Sequence, residues 1–441
     1  MRSHHAVYPT VTRVNAASLS TGAYPERHGL LGNAVFFPTV DATGFLDTSD
    51  RANLLRIEEA GEPLLTATTI GEVLAGAGER LLVASAGSAG SSYLLNHTPE
   101  GGAILHYDYA RPASLHDAAV EQLGPVPEAD APNWRRNRWV VDALLEVGLE
   151  AVDPGVVMLW LSDPDTTAHR HGVGHQLTNE ALFYLDAELD RLQAHLAAAG
   201  RLEHTNIWVT ADHGFSEHTG AVDLAAALSP FQGTLADGSP RVVAGAGAIY
   251  VRDGDSDTVQ DIVETLQATD GVGAIFTPST GSGSEGVVAG TLSFDLARWE
   301  HARSAQVLYS ADWTGETGAF GFPGTSAQSG VAGHGTTSPF DIYSPLVAAG
   351  PDLKSGVALD VPSSHVDLAP TLLHLRGLDP PDTMDGRVLH EALADGPDPT
   401  AVEVDTVRIR ASRSDDTYVV TATVSSAGEA TYLDFTVVER P

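Results

Sequence analysis

Two short runs of this chain end in residue pairs that suit a metal ion. Thr205 to Gly214 reads Thr-Asn-Ile-Trp-Val-Thr-Ala-Asp-His-Gly. It is β-rich at Ile207, Trp208 and Val209 and stops at Asp212 and His213. Val156 to Ser162 is a second apolar run, followed by Asp163-Pro-Asp-Thr-Thr-Ala-His169. Carboxylates and imidazoles are good zinc ligands. Asp165 and His169 stand four apart and share one helical face, with Pro164 suited to the first turn. A solvated turn explains one such pair equally well. Two pairs at the ends of two strands point to a metal site, where open α/β sheets bind ligands.

Three further residues could join them. Thr12, in Tyr8-Pro-Thr-Val-Thr-Arg-Val-Asn15, is placed like a helix N-cap ahead of a small-residue helix. A hydroxyl there meets the positive end of the helix dipole, which also suits a phosphate; a plain cap is the simpler alternative. Asn33 follows the turn residues Gly29 and Gly32, and is either a turn residue or an amide aimed at an anion. His334 lies between Gly333 and Gly335, in a loop that can approach a ligand closely, although a lone histidine in such a loop is usually a surface residue.

These residues need strands and helices to hold them. Residues 34–110 read as strands and loops around Arg80-Leu-Leu-Val-Ala-Ser85. Asn133 to Leu149 predicts an amphipathic helix feeding the Val156 strand. Asn179 to Ala199 predicts another, with Leu182, Leu185, Leu189 and Leu192 as its core seam. The alternation implies a mostly parallel sheet between helices. From about 236 to 330 the chain is rich in Gly, Ser and Asp, with a strand at Ala248–Val251, a helix at Thr258–Ala268 and a strand at Gly271–Phe276. We read it as a small inserted α+β lobe. The expected organisation is a core in two parts, 1–235 and 331–395, the lobe at 236–330, and a β element at 396–441. The second core part holds a strand at Pro345–Gly350 and a helix at Asp367–Leu378, and residues 403–438 alternate polar and apolar.

Composition narrows the function. The chain has 441 residues, more than one ordinary domain needs, and no cysteine, so any metal must use His, Asp, Glu or hydroxyl ligands. No apolar run is long enough to span a membrane, and Met1-Arg-Ser-His-His-Ala lacks an apolar signal region; the expected setting is cytoplasmic. The formal net charge is -34, from 58 acidic and 24 basic residues, and Lys354 is the only lysine. Such a surface repels nucleic acid and anionic lipid. An arginine-biased genome alone does not account for so large an acidic excess, and we read it as halophilic. Self-repulsion then destabilises the fold at low ionic strength. The melting temperature is expected to rise steeply from low salt to molar KCl or NaCl; a flat or falling curve removes the halophilic reading.

Together the motifs resemble the type I phosphodiesterase/nucleotide pyrophosphatase family of the alkaline phosphatase superfamily. The matching stretches are Pro9–Asn15, Thr21-Gly-Ala-Tyr-Pro-Glu-Arg-His-Gly29 with Asn33, Pro164-Asp165 through His169, Asp212-His213-Gly214 and Gly333-His334-Gly335, and the likeness runs from residue 6 to about 392. The resemblance implies an alkaline-phosphatase-like α/β fold, Thr12 as nucleophile and Asn33 on a phosphate oxygen. It implies two Zn2+: one on Asp165, His169 and His334, the other on Asp212, His213 and Thr12 plus a further aspartate. That aspartate ends the family's first strand. No acidic residue precedes Thr12, so the second site is expected to be incomplete, and the spacing gives no support to His4 or His5 in its place. The implied reaction is hydrolysis of a small phosphate ester, nucleotide pyrophosphate or phosphonate through a phosphothreonine. The alternatives are a phosphomonoesterase or phosphonate hydrolase of the same superfamily, or an inactive truncated member.

Overall fold

The computed structural model describes residues 1–281 and 283–441, Pro99 by its backbone alone. It is a mixed α/β structure. Leu81–Ser85, apolar up to Ser85 and wholly buried, pairs in parallel with Gly102–His106 on one side and Val156–Trp160 on the other. Ala110–Arg111 closes one end antiparallel. Gly102 has φ +121°, and a Cβ there would lie 2.1 Å from Leu81 O, so only glycine lets these two strands start side by side. Ile207–Thr210 pairs antiparallel with Leu346–Ala349, and His4–His5 lies between Tyr343–Ser344 and Ser363–Ser364.

The apolar runs at 156 and 207 predict buried strands, but Val157 and Val209 are 38% and 41% exposed. Among the described residues, each strand is paired along one edge only, so no neighbour flanks its outward side chains. The long helix, Gln176–Ala198, differs from expectation in a related way. Leu182 and Phe183 are exposed, Phe183 by 73%, while Ala181, Glu188 and Leu196 are buried. The buried face is partly polar: Glu188 accepts from Arg191, which also reaches Asp142 on the helix Trp134–Ala143. An ion-pair network fills the seam that the leucine spacing assigned to Leu182. The helix predicted at Asp367–Leu378 is a tight turn, His365–Asp367, followed by Leu368–Leu375.

The Gly-rich region forms a five-stranded sheet in the spatial order Val242–Gly245, Ala248–Val251, Val307–Ala311, Val272–Thr277, Leu292–Ser293. Helix Ser256–Gln267 buries Val259, Ile262, Val263 and Leu266 in that core, the spacing of one helical face. Three long antiparallel strands, Val404–Ser412, Val419–Ala427 and Ala430–Glu439, end the chain. They dock firmly on the rest. Tyr418 is fully buried and its hydroxyl donates to Gly273 O at 2.8 Å. Asp434, also buried, takes His5 Nε2 at 2.7 Å, Tyr343 Oη at 3.0 Å and Ser425 Oγ at 2.9 Å. The lone lysine, Lys354, donates to three backbone carbonyls, Glu391, Gly396 and Pro397, at 2.7–3.0 Å. No helix among the described residues is long and apolar enough to cross a membrane.

Two buried histidines make stability depend on acid. His28 Nδ1 accepts the Leu30 N–H at 3.1 Å, and His106 Nδ1 accepts the Asp108 N–H at 3.1 Å. An imidazole that accepts at Nδ1 is neutral. Burial depresses both, His28 to about 3 and His106 to about 4. The folded-state values lie below the ordinary one. Their contribution is therefore complete above about pH 6.5 and is lost as pH falls through that value toward 4, on the order of 1 kcal/mol per pH unit for each ring. Urea midpoints between pH 7 and 5 should fall, and His106→Gln should flatten that slope whatever it does to the absolute stability. A wild-type midpoint that does not move over this range contradicts the assignment.

Candidate functional site

The site sits where the ends of the 156 and 207 strands meet the start of the first long helix, Thr12–Thr21. Thr12 is the first helical residue, not the cap: Val11 holds that position with extended backbone and no side-chain bond. The predicted capping role is therefore absent, and the Thr12 hydroxyl is free to face the site, 3.3 Å from His213 Nε2. Thr10 is the other hydroxyl in this segment, and it is fully committed. It donates to Thr336 O at 2.8 Å and accepts from Gly335 N–H at 3.1 Å. Asn33 Oδ1 accepts the Arg13 N–H at 3.0 Å, which leaves its NH2 group available to an oxyanion beside the helix start.

Asp165 and His169 lie on one short helix, Asp165–His171, with Asp165 Oδ1 3.2 Å from His169 Nε2. The same oxygen lies 3.6 Å from His334 Nε2 and 4.0 Å from His213 Nε2. Asp212 Oδ2 is 3.3 Å from His213 Nε2. The His213 and His334 rings stack with centroids 3.4 Å apart. Each imidazole is oriented by a main-chain carbonyl: His169 Nδ1 on Ala332 O at 2.9 Å, His334 Nδ1 on Thr10 O at 2.8 Å, His213 Nδ1 on Gly214 O at 3.0 Å. With the Nδ1 protons so placed, the Nε2 lone pairs converge on Asp165. Phe215 packs against His169 and His334, a dry wall behind the donors.

The electrostatics follow from this crowding. Burial works to raise Asp165, but His169, His213 and His334 around it outweigh burial and hold it to about 2. Burial, and then the neighbouring His213, push His334 well below the ordinary histidine value. Burial opposes charge on His169, yet the Asp165 carboxylate more than offsets it and the ring is raised. Burial raises Asp212, against the pull of His213.

Asp165, His169 and His334 offer donor atoms within 4.8 Å of one another, a set that fits zinc. Asp165 Oδ1 is buried without an aligned hydrogen-bond donor, as an oxygen reserved for a cation would be. Asp212 and His213 provide two more donors beside Thr12. Each of the seven residues singled out in the sequence thus lies in or beside one cluster. Sequence reasoning missed Arg13 and Phe215. Arg13 lies inside the Pro9–Asn15 stretch and Phe215 directly follows Gly214, and that placement is the only signal that could have found them.

Known proteins resemble this chain in sequence and in fold. The model of the type I phosphodiesterase/nucleotide pyrophosphatase family matches residues 1–291. Among curated relatives, a venom phosphodiesterase of Crotalus durissus collilineatus is 26% identical over 212 residues, 48% of this chain and 22% of the relative. Ectonucleotide pyrophosphatase/phosphodiesterase family member 1 of Rattus norvegicus is 25% identical over 215 residues, 48% of this chain and 20% of that protein. The matched stretch is thus about a fifth of the length of these relatives. Among solved structures, human ectonucleotide pyrophosphatase/phosphodiesterase 5 superposes with a TM-score of 0.59 at 16% identity, covering 89% of this chain and 92% of that one. An inactive variant of the murine protein, in complex with AMP, gives 0.58 at 16%, with the same coverage. These likenesses establish an alkaline-phosphatase-like fold. With the family model covering well over half of the residues, the chain belongs to the type I phosphodiesterase/nucleotide pyrophosphatase family.

Proposed function

We propose that this protein hydrolyses phosphodiester or nucleotide pyrophosphate bonds of small molecules, with Thr12 as the nucleophile and a phosphothreonine as intermediate. One observation carries the reading: a hydroxyl at a helix start that does not cap the helix, 3.3 Å from His213 Nε2 and beside the Asp165, His169 and His334 donors. Phosphoryl transfer needs an aligned nucleophile, positive charge around the equatorial oxygens and a stabilised leaving oxygen. Zinc held by Asp165, His169 and His334, and by Asp212 and His213, would supply that charge and ease ionisation of the hydroxyl. The chain supplies the rest. The start of the Thr12 helix orients the hydroxyl and presents the Thr12 backbone N–H to the phosphate. The Asn33 amide, fixed through its Oδ1, holds an equatorial oxygen. Phe215 limits water at the back of the cluster. The relatives' names and the AMP bound by the murine neighbour support a nucleotide-sized substrate. The lysine-poor acidic surface supports work in a high-salt compartment, which we take to be cytoplasmic.

The test is turnover of bis(4-nitrophenyl) phosphate and of a nucleotide pyrophosphate, in molar salt with added zinc. Release of 4-nitrophenol or of nucleotide monophosphate is expected. No release from either substrate, from folded zinc-loaded protein, rejects the proposal.

A further inference from the structure

Arg13 stands next to Thr12 in a condition that calls for a ligand. Its side chain is 15% exposed. The Nε atom is buried with no hydrogen-bond partner, and the guanidinium makes no hydrogen bond to any described residue. The nearest carboxylate, Asp47, is 3.9 Å away, beyond hydrogen-bond range, and already accepts from Ser49 N at 2.8 Å and Ser49 Oγ at 2.7 Å. A guanidinium carries five donors in a rigid fork. Leaving that fork nearly enclosed and without a hydrogen bond, its charge met only loosely by Asp47, is costly, and such cost is kept where a ligand completes the pairing. The Arg13 backbone is already part of the site, because its N–H fixes Asn33. Hydroxyl, amide and guanidinium therefore come from neighbouring positions around one helix start. Asn33 and the helix start suffice for the single charge of a diester. A fork beside them matches a second anionic oxygen pair, which it can bind with two parallel hydrogen bonds.

We propose that Arg13 is a specificity-determining residue that receives a second anionic group of the substrate, so that the site prefers phosphate substrates with two negative charges to singly charged diesters. This rests on the hydrolytic reading above for the location of the phosphate, but not on Thr12 chemistry. The second charge can come from the same phosphorus, as in a monoester, or from a neighbouring one, as in a diphosphate.

The experiment measures binding to zinc-loaded Thr12→Ala protein, with Arg13 intact or replaced as Arg13→Met, by calorimetry in molar salt. The probes are phenyl phosphate, P1,P2-diphenyl diphosphate and diphenyl phosphate. Loss of a charge-assisted forked pair should weaken one or both doubly charged probes by about 10- to 100-fold, and diphenyl phosphate by less than about 3-fold. Whichever doubly charged probe responds names the source of the second charge. Equal weakening of all three probes, or of none, overturns the proposal, because a merely structural or generally electrostatic arginine does not change their ratio. Should Arg13→Met fail to fold, Arg13→Lys keeps the charge without the fork and should narrow the preference; an unchanged ratio, or no preference with Arg13 intact, overturns the proposal equally. If the Thr12-containing protein cleaves neither monoester, diester nor diphosphate while the binding preference persists, the hydrolytic reading fails and the assignment of Arg13 stands.

Discussion

Thr12→Ala is expected to abolish turnover while leaving the Asp165, His169 and His334 donors able to bind zinc. Removal of a nucleophile costs roughly a millionfold in rate where the rest of the machinery is intact. The structural cost should be small. The Thr12 hydroxyl caps nothing and its neighbours are side chains, His213 Nε2 and the Asp212 carboxylate, so no backbone group loses a partner. Thr10→Ala should behave in the opposite way. It removes the bonds to Thr336 and Gly335 that hold the His334 loop, so it should lower the melting temperature and weaken metal binding together. Rate, zinc content and melting temperature of the two variants separate these roles. Near-normal turnover in Thr12→Ala, with turnover lost in folded, zinc-loaded Thr10→Ala, would show that the nucleophile has been misassigned.

Zinc removal is expected to have the second large effect, and its reconstitution should be uneven. Asp165, His169 and His334 would bring three protein ligands, enough for a catalytic-type zinc. Asp212 and His213 bring two, with Thr12 joining only once its hydroxyl ionises. A missing carboxylate takes a full negative charge away from a divalent ion, a greater loss than that of an outlying partner. Titration of chelator-treated 441-residue protein should therefore show one tight and one weak zinc per chain. Activity should be absent before addition and return as both sites fill. The first equivalent should also raise the melting temperature, since saturation at a hundredfold excess over Kd adds about 2.7 kcal/mol. Asp165→Asn should abolish the tight phase and leave the weak one. Two equally tight ions per chain would show that a third protein ligand completes the Asp212–His213 pair.

What could be read from the sequence was what is local. Asp165 and His169 fall on one helical face by spacing alone, and Asp212 and His213 are adjacent, so each pair is arranged before any tertiary contact forms. The strand around Arg80–Ser85 and the helix over Thr258–Ala268, observed at Leu81–Ser85 and Ser256–Gln267, were legible for the same reason. Long-range partnership was not. Nothing near His5 signals that Asp434, 429 residues away, will be its partner. Nor does the leucine spacing of the long helix reveal that Arg191 would pair with Asp142 and turn the seam polar. Exposure of Val157 and Val209 depends on which edge finds a neighbour, a property of the assembled sheet rather than of the run. Arg13 shows the sharpest form of this limit, because what distinguishes it is that its guanidinium has no hydrogen-bond partner among the described residues, which no local pattern encodes.

The three carbonyls around Lys354 make this chain chemically unusual. An endoprotease specific for lysine has a single address on all 441 residues, and the side chain it must grip is held by Glu391, Gly396 and Pro397. Cleavage requires that clasp to open, so the appearance of the 1–354 and 355–441 fragments times the local opening of this one loop system, with no competing cut elsewhere. The acidic surface has thus left the protein with one built-in clock: its only ammonium side chain is also the fastening whose release that clock records.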